Sequence, residues 1–155
     1  MKKIVFISST GGHWSQLQVL LNEVKLRDEK VFNISVITEK NKTNNDRRDL
    51  KFLIQQDRKK PFILFVVILN IYLSVKYLIN IKPDVVVSTG AGVVLPYLLL
   101  AKMLKSKIIF IESYAKVTSP TLTGRFVYKF ADEFYVQWPE LLACYPDAIY
   151  KGSLY

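Results

Sequence analysis

The stretch Lys2-Lys3-Ile4-Val5-Phe6-Ile7-Ser8-Ser9-Thr10-Gly11-Gly12-His13 is a short apolar run that stops at a pair of glycines. Ile4 to Ile7 reads as a central parallel strand, because a strand buried on both faces needs apolar residues in succession rather than in alternation. A helix is expected next. Leu17, Leu20, Leu21 and Val24 fall at i, i+3, i+4 and i+7, a stripe that packs a helix onto a sheet, while Gln16, Gln18, Asn22, Glu23 and Lys25 are expected to face water. Strand, glycine turn and helix in that order open an alternating α/β fold.

Working outward, Val31 to Thr38 reads as a second strand, and Glu39 to Lys60 as a polar loop carrying a basic cluster, Arg47, Arg48, Lys51, Arg58, Lys59 and Lys60. Phe62 to Val75 then runs for 14 residues without a charge, and the apolar character continues past Lys76 to Ile81. Beyond Lys82-Pro83-Asp84 the alternation resumes. Strands are expected at Val85 to Ser88, Lys107 to Ile111 and Glu133 to Gln137, helices at Val93 to Leu104 and around Arg125 to Phe130, and a final run at Asp147 to Tyr150. The pattern predicts a Rossmann-like, doubly wound parallel sheet. With 155 residues, half of them apolar, the chain is read as one domain over residues 1–155.

The 22 Lys and Arg against 13 Asp and Glu give a formal charge of +9, which suits an anionic partner such as a membrane surface or a phosphate-bearing substrate. Cys144, the one cysteine, excludes an internal disulfide and reads as a buried thiol without a role. The apolar start breaks at Ser8-Ser9, too soon for a signal peptide, so the domain is expected on the cytoplasmic side.

Loops leaving the carboxyl ends of parallel strands gather along one edge, where ligands bind. Three such loops carry chemistry. In Ser9-Thr10-Gly11-Gly12-His13 the glycines allow a sharp turn and close approach to a ligand, and the free N–H groups of the following helix favour an anion. His13, at that positive end, is read either as a neutral base for a sugar hydroxyl or as a local cap. Gly90-Ala91-Gly92 repeats the design after another strand, as a phosphate or sugar seat or as glycines that let strand and helix pack closely. Glu112-Ser113 follows the strand ending at Ile111; the carboxylate would hold sugar hydroxyls, orient His13, or simply sit in solvent. No G-x-G-x-x-G follows the first strand and no P-loop is present, so nucleotide cofactors lack their fingerprints. With no Asp-x-Asp pair and no His or Cys cluster, metal-independent chemistry without a cofactor is expected.

The uncharged stretch would span about 21 Å as a helix, short of a hydrocarbon core of about 30 Å. A crossing helix would also put the strand at Val85 on the opposite side from Ile4 to Ile7. An in-plane helix at about 61–81 is therefore expected, with Arg58, Lys59 and Lys60 before it and Phe62, Phe65 and Leu69 within it as a monotopic membrane anchor. The alternative is a crossover helix buried against a partner.

Four segments together carry a resemblance: residues 9–13, Lys82-Pro83-Asp84-Val85-Val86-Val87-Ser88-Thr89-Gly90-Ala91-Gly92, Ile111-Glu112-Ser113 and Gln137-Trp138-Pro139-Glu140. They resemble the bacterial capsule and exopolysaccharide family of accessory glycosyltransferase subunits. That family is similar to the membrane-anchor subunit of the eukaryotic two-part dolichol-linked UDP-N-acetylglucosaminyltransferase and to the N-terminal half of the murein lipid-linked enzyme. The resemblance implies the acceptor-side half of a GT-B enzyme split between two polypeptides, with the UDP-sugar bound mainly by the partner and a lipid-diphosphate-linked sugar as acceptor. It implies inverting galactosyl- or N-acetylglucosaminyl-type transfer at the cytoplasmic face of the membrane, in polysaccharide repeat-unit synthesis. His13 and Glu112 would line the cleft, and Ser9, Thr10, Gly11, Gly12, Gly90, Ala91, Gly92 and Ser113 would meet the acceptor. Trp14 departs from the pattern and is expected to narrow the acceptor pocket. The rival readings are a purely non-catalytic anchor and a free-standing nucleotide-binding oxidoreductase; a nucleic-acid binder is disfavoured for want of a basic-aromatic platform.

Overall fold

The computed structural model describes residues 1–28, 31–41, 44, 47–56 and 62–155. Arg58, Lys59 and Lys60 lie outside the described residues. The elements run β1 (Lys2–Ser8), α1 (Gly12–Asp28), β2 (Phe32–Glu39), β3 (Leu50–Leu53), α2 (Ile63–Ile81), β4 (Val85–Gly90), α3 (Leu95–Met103), β5 (Lys107–Ile111), α4 (Leu122–Val127), β6 (Glu133–Val136) and β7 (Ile149–Tyr150). Short 3-10 turns at Gly92–Val94 and Pro139–Ala143 complete the order. Every strand pairing is parallel, in the order β3-β2-β1-β4-β5-β6-β7, so the chain reverses its direction of growth between β1 and β4. This is the doubly wound sheet that the alternation of apolar runs predicts.

Alternate strand residues serve the two faces. Val5, Ile7, Ile37, Leu53, Val86, Ile108 and Phe110 join Leu78 of α2, Tyr97 and Leu98 of α3 and Val127 of α4 in the larger core. Phe6, Val36 and Leu50 pack instead on Leu17 and Leu21 of α1, with Trp14 partly buried beside them. Trp14 is thus part of the packing of α1, which is where its bulk is used. Because α1 is the one helix on its face among the described residues, the sheet beside it stays open. Val87, Ile109, Ile111 and Tyr135 line an apolar groove of about 340 Å³ there, closed on one side by Leu20 and Val24 and crossed by residues 151–154.

Three sequence expectations change. Leu50–Leu53, read as loop, is the edge strand β3, whose four residues are too few for a pattern to stand out within a charged stretch. The helix expected near Arg125 to Phe130 starts earlier, where Thr121 caps it by accepting from the Gly124 N–H at 2.8 Å. Cys144 is exposed, not buried.

Helix α2 inverts the usual amphipathic arrangement. Asn70, Ser74 and Tyr77, at i, i+4 and i+7, face inward toward the edge strand, which has main-chain groups left over after pairing with β2. Asn70 accepts from Ile54 N at 2.7 Å and donates to Ile54 O at 2.8 Å, Tyr77 OH donates to Phe52 O at 2.9 Å, and Ser74 donates to Asn70 O at 2.7 Å. The polar side is therefore buried and the apolar side is exposed. Phe62, Leu64, Phe65, Ile68, Tyr72 and Ile79 are open, Leu64 by 71%, while Leu69 is half-buried. By length and composition α2 is apolar enough to cross a membrane. Of the basic residues before it, Arg47 is engaged by Asp49 at 2.5 Å.

A candidate active site at the switch point

The reversal between β1 and β4 opens a crevice at the carboxyl ends of those strands. Both glycine loops stand there. Ser9 N donates to Gly90 O at 2.8 Å, joining the loop after β1 to the end of β4. Thr89 Oγ1 donates to His13 O at 2.8 Å, and His13 Nδ1 lies 2.5 Å from Thr89 O. A carbonyl oxygen only accepts, so Nδ1 carries the hydrogen of this pair, and a neutral imidazole then holds its lone pair on Nε2. Among the described residues nothing bonds Nε2. His13 is half-buried, a fixed ring with one free basic atom.

Each glycine has a different reason to be there. Gly90 has φ +99°, and a Cβ on it would lie 3.1 Å from His13 Cε1 and 3.2 Å from Nδ1, so it gives the histidine ring its seat. Gly11, at φ +75°, provides the left-handed turn into α1, and a Cβ on Gly11 or Gly12 would meet nothing within 4 Å. The glycine pair borders open space at the start of a 17-residue helix. Ala91 and Gly92 continue from Gly90 into the 3-10 turn, where Val94 N donates to Ala91 O at 3.2 Å.

Glu39, read as the first residue of a polar loop, ends β2 instead and holds the Thr10 loop in place. Buried at the end of β2, it accepts from Thr10 N at 3.2 Å and Thr10 Oγ1 at 3.3 Å through one oxygen and from Gln56 N at 3.2 Å through the other.

Glu112 is placed differently from the expectation that it orients His13. It is 1% exposed, and its carboxylate accepts from Ser113 N (2.8 Å), Thr121 Oγ1 (2.9 Å), Thr121 N (3.2 Å) and Tyr145 OH (2.7 Å). Thr89, not Glu112, orients the histidine. Gly124 is packed so tightly against the carboxylate that a Cβ would fall 2.6 Å from Tyr145 OH and closer still to Glu112 Oε2. Burial first, and the bond to Glu112 second, hold the Tyr145 hydroxyl well above the ordinary tyrosine range, so it stays a donor. Glu112 and the buried Ser113 thereby fix the base of the loop from 112 to 121.

One more set of contacts ties these loops together. Gln16, expected to face water, is buried, and its Oε1 accepts from Gln137 Nε2 at 2.7 Å and Tyr114 N at 3.3 Å. Gln137 also donates to Glu112 O at 2.8 Å and accepts from Leu154 N at 3.0 Å. Trp138 Nε1 donates to Tyr114 O at 2.7 Å, which shows what the Gln137-Trp138 pair does: it joins the loop after β6 to the loop after β5. Among the described residues no group of His, Cys, Asp and Glu could hold a metal ion.

The chain is similar over nearly its whole length to known proteins. It is 25% identical over 97% of its residues to the human (Homo sapiens) "UDP-N-acetylglucosamine transferase subunit ALG14", covering 82% of that protein. It is 29% identical over 90% of its residues to the UDP-N-acetylglucosamine–N-acetylmuramyl-(pentapeptide) pyrophosphoryl-undecaprenol N-acetylglucosamine transferase of Natranaerobius thermophilus, but spans 40% of that enzyme. Among solved structures, MurG of Acinetobacter baumannii superposes with a TM-score of 0.72 at 16% identity, over 90% of this chain and 43% of that one, a likeness of fold to part of a larger protein. The family described as "Oligosaccharide biosynthesis protein Alg14 like" matches residues 3–154, and the chain belongs to that family.

Proposed function

We propose that this chain is the acceptor-side, membrane-seated half of a two-chain UDP-sugar glycosyltransferase, and that a second polypeptide brings the donor site. The observation that supports this most is His13, held by Thr89 with Nε2 free at the switch point of a sheet that has a glycine-bordered opening beside it. A relative matched along 97% of this chain is named as a transferase subunit, which favours a partnered role over a free-standing oxidoreductase.

In this reading the acceptor is a lipid-diphosphate-linked sugar whose diphosphate sits at the N-terminal end of α1, against Gly11 and Gly12. Its hydroxyl gives its proton to His13 Nε2 as the oxygen attacks the anomeric carbon of the UDP-sugar, the bond to UDP breaks, and the configuration inverts. A base so placed contributes about 10²–10⁴-fold.

Helix α2 joins β3 to β4, two strands of one sheet, so its ends belong to the same compartment. It therefore lies along the inner leaflet with Phe62, Leu64, Phe65 and Ile68 in the lipid, its length of about 28 Å parallel to the surface. Lipid-linked repeat units for capsule or exopolysaccharide, with a galactosyl or N-acetylglucosaminyl donor, are the substrates proposed. The test is transfer from labelled UDP-galactose and UDP-N-acetylglucosamine to a lipid-diphosphate-linked acceptor in vesicles, with the candidate partner alone and with both chains. Transfer that needs both supports the reading; full transfer by the partner alone removes the active-site role.

A further inference from the structure

The structure assigns a second binding element beside His13: we propose that Tyr114, backed by Trp138, is the platform on which the acceptor's pyranose ring stacks. This deepens the proposed function and rests on it. Tyr114 is half-buried in the loop after β5, with Trp138 from the loop after β6 against it, ring centroids 5.0 Å apart and planes tilted by 40°. Tyr155 meets Tyr114 at 5.1 Å and 78°, so three rings line this end of the ligand edge.

Their polar groups are arranged as a binding surface requires. Trp138 Nε1 and the main chain of Tyr114 are committed to each other and to Gln16, which fixes both rings. The Tyr114 hydroxyl bonds to no described residue and is free for a ligand. The negative face of an aromatic ring favours the weakly positive C–H bonds that a pyranose presents on its apolar side, and the ring's edge and hydroxyl remain available to the sugar's oxygens.

Position makes the pair relevant to the reaction. His13 rests on the end of β4, and Tyr114 lies in the loop after β5, the next strand of the sheet, so the two belong to neighbouring positions along the edge. Gln16, whose side chain holds Tyr114 N, lies three residues after His13 on the same side of α1. A sugar resting on Tyr114 would thus offer a hydroxyl toward Nε2.

The direct test uses the full chain carrying Trp14→Phe, which leaves Trp138 as its one tryptophan. The probe is N-acetylglucosaminyl diphosphate esterified to a ten-carbon isoprenoid, read by Trp138 fluorescence. Saturable quenching that Tyr114→Phe keeps and Tyr114→Leu weakens about 2- to 12-fold is expected, the range that the ring contact alone accounts for. Unchanged emission at saturating probe overturns the platform, and so does quenching by UDP with none by the probe, which would give the rings to the donor. In the two-chain transfer assay, Tyr114→Leu should raise the acceptor KM and leave the donor KM alone. Transfer with an unaltered acceptor KM in Tyr114→Leu overturns the platform while the two-chain reading stands; quenching without any transfer by the pair does the reverse.

Discussion

His13 and Glu112 stand at the same edge of one sheet, after β1 and β5, and the fold uses them in opposite ways. Around Glu112 the chain has closed: two main-chain N–H groups and two hydroxyls fill the carboxylate, and Gly124 is pressed against it. Around His13 the chain has stopped short: one nitrogen is fixed by Thr89, the other is free, and the glycines beside it border open space. A titratable side chain at a ligand edge performs chemistry through an atom that the protein leaves unbonded. By that criterion Glu112 is scaffold and His13 is the candidate base.

Substitutions should separate the two corners. Gly124→Ala should do the most damage to the fold, lowering unfolding free energy by about 3 kcal/mol, the upper range for overpacking, because the added methyl occupies space held by the carboxylate and the Tyr145 hydroxyl. A urea titration measures it; near-wild-type stability would mean that the Glu112 corner is loosely packed. Glu112→Ala should cost about 2 kcal/mol by the same measurement, since buried donors are left without a partner. Gly90→Ala should cost about 1–2 kcal/mol for its left-handed backbone. Unlike the first two, it should also displace the His13 ring and cut transfer by more than the loss of folded protein explains.

The boundary between what the sequence reveals and what it hides runs along contact distance. The strand and helix alternation, the glycine loops and the place of His13 follow from runs of a few residues, so they are legible. Gln16 was expected in water because helical periodicity sees one helix at a time, and its partner Gln137 is 121 residues away. Glu39 reads as the start of a polar loop because its hold on Thr10 is made across β1 and β2. The inward turn of the polar residues of α2 is hidden for a related reason: nothing local says that an edge strand needs Asn70 and Tyr77.

The inverted helix gives the smallest predicted effect. Phe65→Ser should leave folding unchanged, because the side chain is 61% exposed, and should weaken binding to anionic vesicles about tenfold, as expected for removing one large apolar group from lipid. Co-sedimentation checks it; equal binding would shift the apolar face from membrane to a protein partner.

The contrast between the two corners is tested most directly by the transfer rate of the reconstituted two-chain enzyme carrying His13→Ala, measured beside its urea unfolding. The predicted result is a kcat lower by about 10²–10⁴-fold with unfolding free energy lowered by no more than about 1.5 kcal/mol, the worth of the bond to Thr89. A wild-type kcat in His13→Ala, or a loss matched by an equal loss of folded protein, would contradict the assignment of His13 as the base.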